Sequence, residues 1–185
     1  MKKTNEHRVF SNILDRNFKQ ITPLQSLCTD ITYLYYGHGQ KAYLQAVKDI
    51  ATKEIISWET SNNMTMNFVL KSIDNLKRKN ILKNKSIIHS DQGSHYTNPE
   101  YIKKVKDLNL IQSMSRKGSC IDNAPIESFF GHLKDEADYK YAKTFGELSD
   151  TINKYMDYYN NHRQQWDIKK MTPVQYRDHL LALNH

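Results

Sequence analysis

The chain has 185 residues, of which 38% are hydrophobic and 25% charged, and its formal net charge is +7. These values are typical of one folded domain with appendages and exclude an intrinsically disordered chain. No stretch approaches the roughly 20 apolar residues that a membrane-spanning helix needs, and no apolar signal-peptide segment follows the basic N-terminus. The positive charge favours a polyanionic partner but does not identify one.

The first half of the chain predicts an arm followed by three strands. Residues 1–22 are polar and basic and are followed by Pro23, which is typical of an arm or interdomain linker. Alternating residues rich in Thr, Tyr and Ile then predict strands at 25–36, 42–50 and 54–60, with a hairpin turn at 37–39. Short apolar runs predict two further strands at 86–89 and 110–114.

Helices are predicted from apolar spacing and from N-terminal capping signals. Apolar residues recur at helical spacing over 64–79. Capping-box patterns at 97–100, 144–147 and 172–175 predict helices that end near residues 107, 161 and 183, and a further helix opens at 122–125. We therefore expect an α/β protein with a mixed five-stranded sheet, divided into an arm (1–22), a core (23–140) and a C-terminal helical extension (141–185).

Three acidic residues lie in unusually specific strings. Asp30 lies in TDITY (29–33), Asp91 in HSDQGS (89–94) and Glu127 in DNAPIES (122–128), with 60 residues between the first two and 35 between the last two. A cluster of carboxylates is unfavourable unless cations neutralise it, and Mg²⁺ prefers such oxygen ligands. Two such ions can clamp the attacking and leaving oxygens of a phosphodiester.

Each acid also has an ordinary structural interpretation. Asp30 would then be an outward-facing acid on an edge strand, Asp91 a turn residue, and Glu127 an acid favoured by its helix dipole. Asp49 competes as a fourth acid but lies in no specific string, so we expect a structural role for it. The two cysteines, Cys28 and Cys120, lie in no metal-binding pattern and are expected to be reduced and buried.

These strings resemble the catalytic half of insertion-sequence transposases of the Asp-Asp-35-Glu kind, whose cores are similar to retroviral integrases. The resemblance runs from about residue 12 to about residue 180 and is most specific at 29–33, 88–97 and 112–136. It implies a ribonuclease-H-like fold and implies that Asp30, Asp91 and Glu127 are the catalytic residues and bind two Mg²⁺ ions, which Mn²⁺ can replace. The chain departs from the family at Leu27 and Cys28, where a tryptophan is usual.

Basic and polar residues near the acids are candidate DNA contacts. Lys134 follows Glu127 by seven residues, so it lies two helical turns away on the same face, at about 10 Å. Arg116 and Lys117 could equally be solvated surface or grip phosphates on a loop. Ser94 and His95 could bind DNA, although His89 and His95 could also be metal ligands. Arg163 matches the family's C-terminal pattern, within a run of tyrosines that is otherwise expected to pack in the core.

The resemblance implies metal-dependent cleavage at the end of a transposon and strand transfer into target DNA. Two alternatives stay open: a ribonuclease-H-like nuclease without strand transfer, and a non-catalytic DNA-binding or inhibitory fragment. Family members carry a helix-turn-helix region upstream of the core, so we expect a truncated product or a partner that supplies this region. We also expect homo-oligomers on DNA and a bacterial, nucleoid-associated location in the cytoplasm.

Overall fold

The computed structural model describes residues 8–79 and 82–183. Residues 1–7 of the predicted arm and residues 184–185 of the predicted extension lie outside this part. Five strands form one mixed sheet: β1 (Ser26–Tyr36), β2 (Gln40–Asp49), β3 (Ile55–Ser61), β4 (Ile87–Ser90) and β5 (Ile111–Met114). Their order across the sheet is β3-β2-β1-β4-β5, in which β1, β2 and β3 are antiparallel and β1, β4 and β5 are parallel.

Five helices flank the sheet: α1 (Met66–Lys79), α2 (Pro99–Asp107), α3 (Ala124–Glu136), α4 (Phe145–Asn161) and α5 (Pro173–Ala182). The predicted mixed five-stranded sheet with flanking helices is confirmed, and every predicted strand boundary lies within two residues of the observed one. Short 3-10 turns at Cys120–Asn123, Asp138–Tyr141 and Trp166–Ile168 were not predicted. In the described part of the chain, no helix is long and apolar enough to span a membrane.

The capping signals differ in detail from their predictions. Thr172 and Gln175 form a complete capping box at α5, as expected. At α2, however, the N-cap is Asn98 rather than Thr97, because the Asn98 side chain accepts the hydrogen bond from the Glu100 N–H. A proline directly after the N-cap explains why this helix starts one residue late. Cys28 is buried as expected, but Cys120 is exposed, because it lies at the start of a surface turn.

Two hydrophobic layers cover the two faces of the sheet. Even-numbered residues of β1, such as Cys28 and Leu34, pack with α3 and α4, whereas Leu27 packs with α1, α2 and β4. This division follows from the alternation of side chains along a strand. Tyr155 and Tyr159 of α4 pack in the first layer, as expected for this tyrosine run, while Tyr158 is half exposed.

Residues 10–14 lie along the outer edge of β5. The Met114 N–H donates to the Ser11 carbonyl, and the N–H groups of Ile13 and Leu14 donate to the Ser113 hydroxyl at 2.9 and 3.1 Å. Leu14 is 2% exposed and belongs to the core beneath α3. The segment therefore protects a sheet edge that would otherwise present unpaired backbone groups.

Candidate active site

The register of the sheet places Asp30 and Asp91 side by side. Cys28 of β1 lies opposite His89 of β4 in a parallel pair. Asp30 and Asp91 each stand two residues further along, on neighbouring segments that are about 4.8 Å apart in a regular sheet. Asp91 follows the carboxyl end of β4, where open α/β sheets bind their ligands.

Helix α3 brings Glu127 to the same end of the sheet. Asp30 has the same parity as Cys28 and Leu34, so it points toward the face that α3 covers. The Asn123 side chain donates to the Thr29 carbonyl at 3.4 Å, and the Lys48 ammonium donates to the Pro125 carbonyl at 2.9 Å. These contacts hold the first turn of α3, which carries Glu127, next to the middle of β1.

The carboxylates repel one another. Burial, and then the charge of Asp91, raise the pKa of Asp30 to about 7; the Ile31 N–H opposes this shift, and Glu127 adds to it. Burial and Asp91 also raise the pKa of Glu127. In the described chain no lysine or arginine is among the groups that set these two pKa values. The site therefore concentrates negative charge without an internal counter-charge.

As the side chains stand, the acids do not form one three-ligand centre. No group of three His, Cys, Asp or Glu side chains among the described residues is placed to hold one metal ion. Instead, Asp91 links two adjoining clefts. We define the strand cleft by Asp30, Tyr33, Lys41 and His95, and the loop cleft by Glu127 and residues 115–120; Asp91 lines both.

Gly93 fixes the orientation of the Asp91 carboxylate. The Gly93 N–H donates to Asp91 Oδ1 at 2.8 Å. A Cβ atom at position 93 would lie 2.9 Å from that same oxygen, which is closer than real contacts of this kind allow. Any side chain at this position would therefore push the carboxylate away from its present position.

The candidate DNA contacts surround the two clefts. Lys117 and Arg116 line the loop cleft, while Ser94 and His95 line the strand cleft. The Lys134 ammonium lies 5.0 Å from the centre of the Tyr33 ring, which borders the strand cleft.

Two of the candidate arginines have acidic partners within the chain. Arg163 makes a two-pronged contact with Glu136 at 2.6 and 2.8 Å, which explains its position without DNA. Arg116 pairs with Asp15 and Asp122. A phosphate would have to compete with these carboxylates for either guanidinium group.

Asp122 joins the N-terminal segment to the loop before α3. Its buried carboxylate accepts from the Asn12 side chain at 3.0 Å, Arg16 Nε at 2.5 Å and the Arg116 backbone N–H at 2.9 Å. Burial opposes ionisation, but the Arg116 N–H and the Arg16 guanidinium outweigh it and lower the Asp122 pKa to about 2. Asp122 therefore fixes the turn from which Glu127 projects.

Other acidic and histidine candidates have structural roles. Asp49 accepts from the Leu24 N–H and the Thr52 hydroxyl, so it stabilises the turn after β2, as expected. His89 is fully buried between the hydroxyls of Ser113 and Ser115, at 2.9 and 3.1 Å. Burial lowers the pKa of His89 to about 4, so it is a neutral hydrogen-bonding group.

Sequence reasoning missed Asp122 and Tyr96 as neighbours of the site. Asp122 lies inside the DNAPIES string, but its partners Asn12 and Arg16 lie 110 and 106 residues earlier, so no local pattern indicates its burial. Tyr96 is 2% exposed and lines the strand cleft, and its pKa is raised by burial and then by Asp30. No local pattern distinguishes a tyrosine at a site border from one in the core.

Comparisons with known proteins agree with this arrangement. Two family models described as integrase core domain match residues 22–120 and 127–181. The chain belongs to the integrase core domain family. Its relatives include a protein named putative transposase InsK for insertion sequence element IS150, from Escherichia coli K12, at 38% identity over 90% of this chain and 59% of InsK. An uncharacterized transposase-like protein of Haemophilus influenzae is 36% identical over 91% of this chain and 78% of its own length.

Solved structures of integrase cores share the fold. The HTLV-2 integrase catalytic core domain in complex with magnesium, in its trimeric form, has a TM-score of 0.61 at 17% identity, covering 84% of this chain and 97% of that one. An integrase chain in the simian T-cell lymphotropic virus intasome has a TM-score of 0.69 at 14% identity, over 95% of this chain and 61% of that one. The ribonuclease-H-like fold is thereby confirmed. The chain spans about 59% of InsK, so it corresponds to one part of that relative.

The raised pKa of Asp30 predicts how stability depends on pH without divalent metal. Between about pH 4 and pH 7 the folded protein keeps a proton that the unfolded chain has released, so stability falls as pH rises through this range. Asp30→Asn removes the buried charge and should stabilise the protein at pH 8 by up to about 4 kcal/mol, but hardly at pH 4. Denaturant unfolding in a chelator measures both values.

Exposed Asp107→Asn, at the end of α2, is the matched control for loss of one negative charge. It should change stability little at either pH. If Asp30→Asn stabilised the protein equally at pH 4 and pH 8, the cause would not be the titration of Asp30.

Proposed function

We propose that the chain is the catalytic domain of a DNA transposase, a polynucleotidyl transferase that cuts the phosphodiester at a transposon end and joins the freed end to target DNA. The observation that carries this proposal is the placement of Asp30, Asp91 and Glu127 at one end of the sheet, where their charges raise the pKa values of two of them. Uncompensated carboxylates beside an open cleft suit phosphoryl transfer, which depends on positioning and charge neutralisation.

The donor set fits two Mg²⁺ ions, with Mn²⁺ as a substitute. All three donors are carboxylates, the ligands that hard divalent cations prefer. Asp30 interacts with both Asp91 and Glu127, so it could contribute to two neighbouring ions, each of which would need only two of the acids. When bound, such ions supply the charge and Lewis acidity that activate water or a 3′-hydroxyl for attack on phosphorus. Binding of each ion by only two of the acids agrees with the finding that no three such side chains among the described residues are placed to hold one ion.

The remaining residues would hold and orient the DNA. We propose that Lys134, Lys117, Ser94 and His95 contact its phosphates, since all four lie at or beside the two clefts. Arg116 and Arg163 stay predicted contacts that would require exchange of their carboxylate partners for phosphate. The Gly93 N–H and the Asp122 contacts would keep Asp91 and the α3 turn in place during the reaction.

The relatives support DNA as substrate and an assembly of several copies. InsK is a transposase by name, and integrase cores similar in fold are described in dimeric and trimeric forms. We propose that this chain also acts as a homo-oligomer on DNA, in the nucleoid of a bacterial cytoplasm, together with a helix-turn-helix region on the same or a partner polypeptide. The division into a core (23–140) and a helical extension (141–185) stays part of this proposal.

Cleavage and joining of labelled DNA test the proposal directly. The chain, incubated with transposon-end DNA and Mg²⁺ or Mn²⁺, should nick one strand to leave a 3′-hydroxyl and then produce joined molecules. Glu127→Gln keeps the size of the side chain but loses its charge, so both products should fall by at least about 100-fold. DNA binding should persist in this variant.

Each of the other outcomes would indicate a different function for the chain or contradict the assignment of its catalytic acids. Nicking without joined products would indicate the nuclease alternative. Binding without any cleavage by the wild-type chain would indicate the non-catalytic fragment. Cleavage that survives in Glu127→Gln would contradict the assignment of the catalytic acids.

A substitution at Gly93 tests whether the position of Asp91 matters. Gly93→Ala should lower the cleavage rate about 10- to 100-fold, because the new methyl group displaces the Asp91 carboxylate. The melting temperature should stay close to that of wild type, since the residue lies outside the regular elements. Gly146→Ala, whose Cβ would meet no atom closer than 3.8 Å at the far helix α4, is the matched control. Equal rates for the two variants would contradict this role of Gly93.

A further inference from the structure

Two lysines converge on one exposed tyrosine beside the candidate active site. The ammonium groups of Lys41 and Lys134 lie 4.7 and 5.0 Å from the centre of the same Tyr33 ring. The two charges are therefore within about 10 Å of each other, a distance at which like charges repel at ordinary salt concentrations. The Tyr33 ring attracts both cations through its negative face.

The lysines come from different elements, so the cluster is a product of the fold. Lys41 lies in β2 opposite Tyr35 of β1, diagonal to Tyr33, while Lys134 reaches the ring from α3. β4 pairs with β1 only over residues 26–28 of β1, so β4 does not cover the edge of β1 next to Tyr33. Tyr33 and Tyr35 are 50% and 54% exposed, and their rings meet edge to face.

Neither ammonium group has an acidic partner within the described ranges 8–79 and 82–183. Every ion pair found there joins other side chains. The Arg116 guanidinium of the loop cleft, by contrast, is paired with Asp122. Two unneutralised charges held on an aromatic ring favour an anion that comes from outside the chain.

We propose that Lys41, Tyr33 and Lys134 form a phosphate subsite that holds the DNA strand a few nucleotides from the bond to be cut. Tyr33 and Lys41 line the same cleft as Asp30, and Tyr33 follows Asp30 by three residues, or about 10 Å along β1. That distance equals about three nucleotides of a B-form strand. The subsite rests on the proposed function, to which it adds Lys41 as a contact and Tyr33 as the ring that both lysines share; Lys41 also lies 5.2 Å from the Tyr43 ring.

The placement also explains how DNA can approach a site rich in negative charge. The carboxylates alone would repel a phosphate backbone, whereas a pair of lysines next to them attracts it and fixes its path. The contact is to phosphate, so it would strengthen binding of all sequences and would increase the dependence of binding on salt.

Salt-dependent DNA binding tests the subsite. Fluorescence anisotropy with a short labelled duplex, from about 50 to 200 mM salt, should give a smaller slope of log affinity against log salt for Lys41→Ala than for wild type, by about 0.9. Binding at the middle of this range should weaken about three- to tenfold. Lys154→Ala removes the same charge from an exposed position of α4 and should leave both values unchanged.

The Tyr33 variants separate positioning from charge. Tyr33→Phe keeps the ring and should bind as wild type does, whereas Tyr33→Leu should weaken binding as Lys41→Ala does, without loss of any charge. If wild type binds DNA but Lys41→Ala keeps the full slope, the subsite is overturned and the proposed function stands. If wild type does not bind DNA at all, both are overturned.

Discussion

Mutual repulsion of three carboxylates is the constraint on which the rest of this structure depends. Asp30 and Asp91 are held level by the parallel pairing of β1 with β4, and Glu127 by the docking of α3 on β1. Asp30 lies within β1 and Glu127 within a packed helix, while Asp91 directly follows β4 and its carboxylate accepts from the Gly93 N–H. Burial first, and then this repulsion, raise the pKa of Asp30 to about 7, and a bound cation would offset the repulsion.

A second carboxylate, Asp122, has the opposite environment. It is fully buried, whereas Asp30 is half-buried. Donors from Asn12, Arg16 and Arg116 surround the Asp122 carboxylate, and its pKa is lowered to about 2. Asp122 therefore stabilises the fold, while the Asp30 carboxylate accepts one hydrogen bond, from the Ile31 N–H, and stays available to a ligand. These opposite environments distinguish the structural acid, Asp122, from the candidate catalytic acid, Asp30. The sequence distinguishes them less clearly, because Asp122 lies in the same string as the candidate catalytic Glu127, only five residues before it.

The sequence predicted the elements well because its signals are local. Alternation identified the first three strands, short apolar runs identified the last two, and capping residues such as Thr172 identified helix starts. The strings around the three acids predicted a shared catalytic centre, and the fold brings these acids to one end of the sheet, where they line two adjoining clefts. Contacts between residues about 100 positions apart were not predictable, and these include the pairing of Arg16 with Asp122 and of Leu14 with Ser113. These contacts form only once the edge of the sheet is complete, and no short sequence pattern predicts them.

The same limit applies to the residues around the site. Arg163 was a reasonable DNA contact from its sequence context, and only the fold shows that its guanidinium is paired with Glu136. Lys41 carried no sequence signal at all, since its neighbour Lys134 comes from a helix about 90 residues later. Their common contact, Tyr33, lies three residues after Asp30 in the TDITY string. The strings thus predicted the proposed reacting centre, while the fold identified the groups that surround it.

Thermal unfolding with and without Mn²⁺ is the most direct test of the claim that these acids share cations. Saturating Mn²⁺ at pH 8 should stabilise the wild-type chain by about 1–2 kcal/mol or more, seen as a rise of several degrees in melting temperature. Asp30→Asn should abolish this rise, because Asp30 is the acid that both others contact electrostatically. An equal rise in Asp30→Asn and wild type would mean that the ions bind elsewhere and would contradict the proposed site.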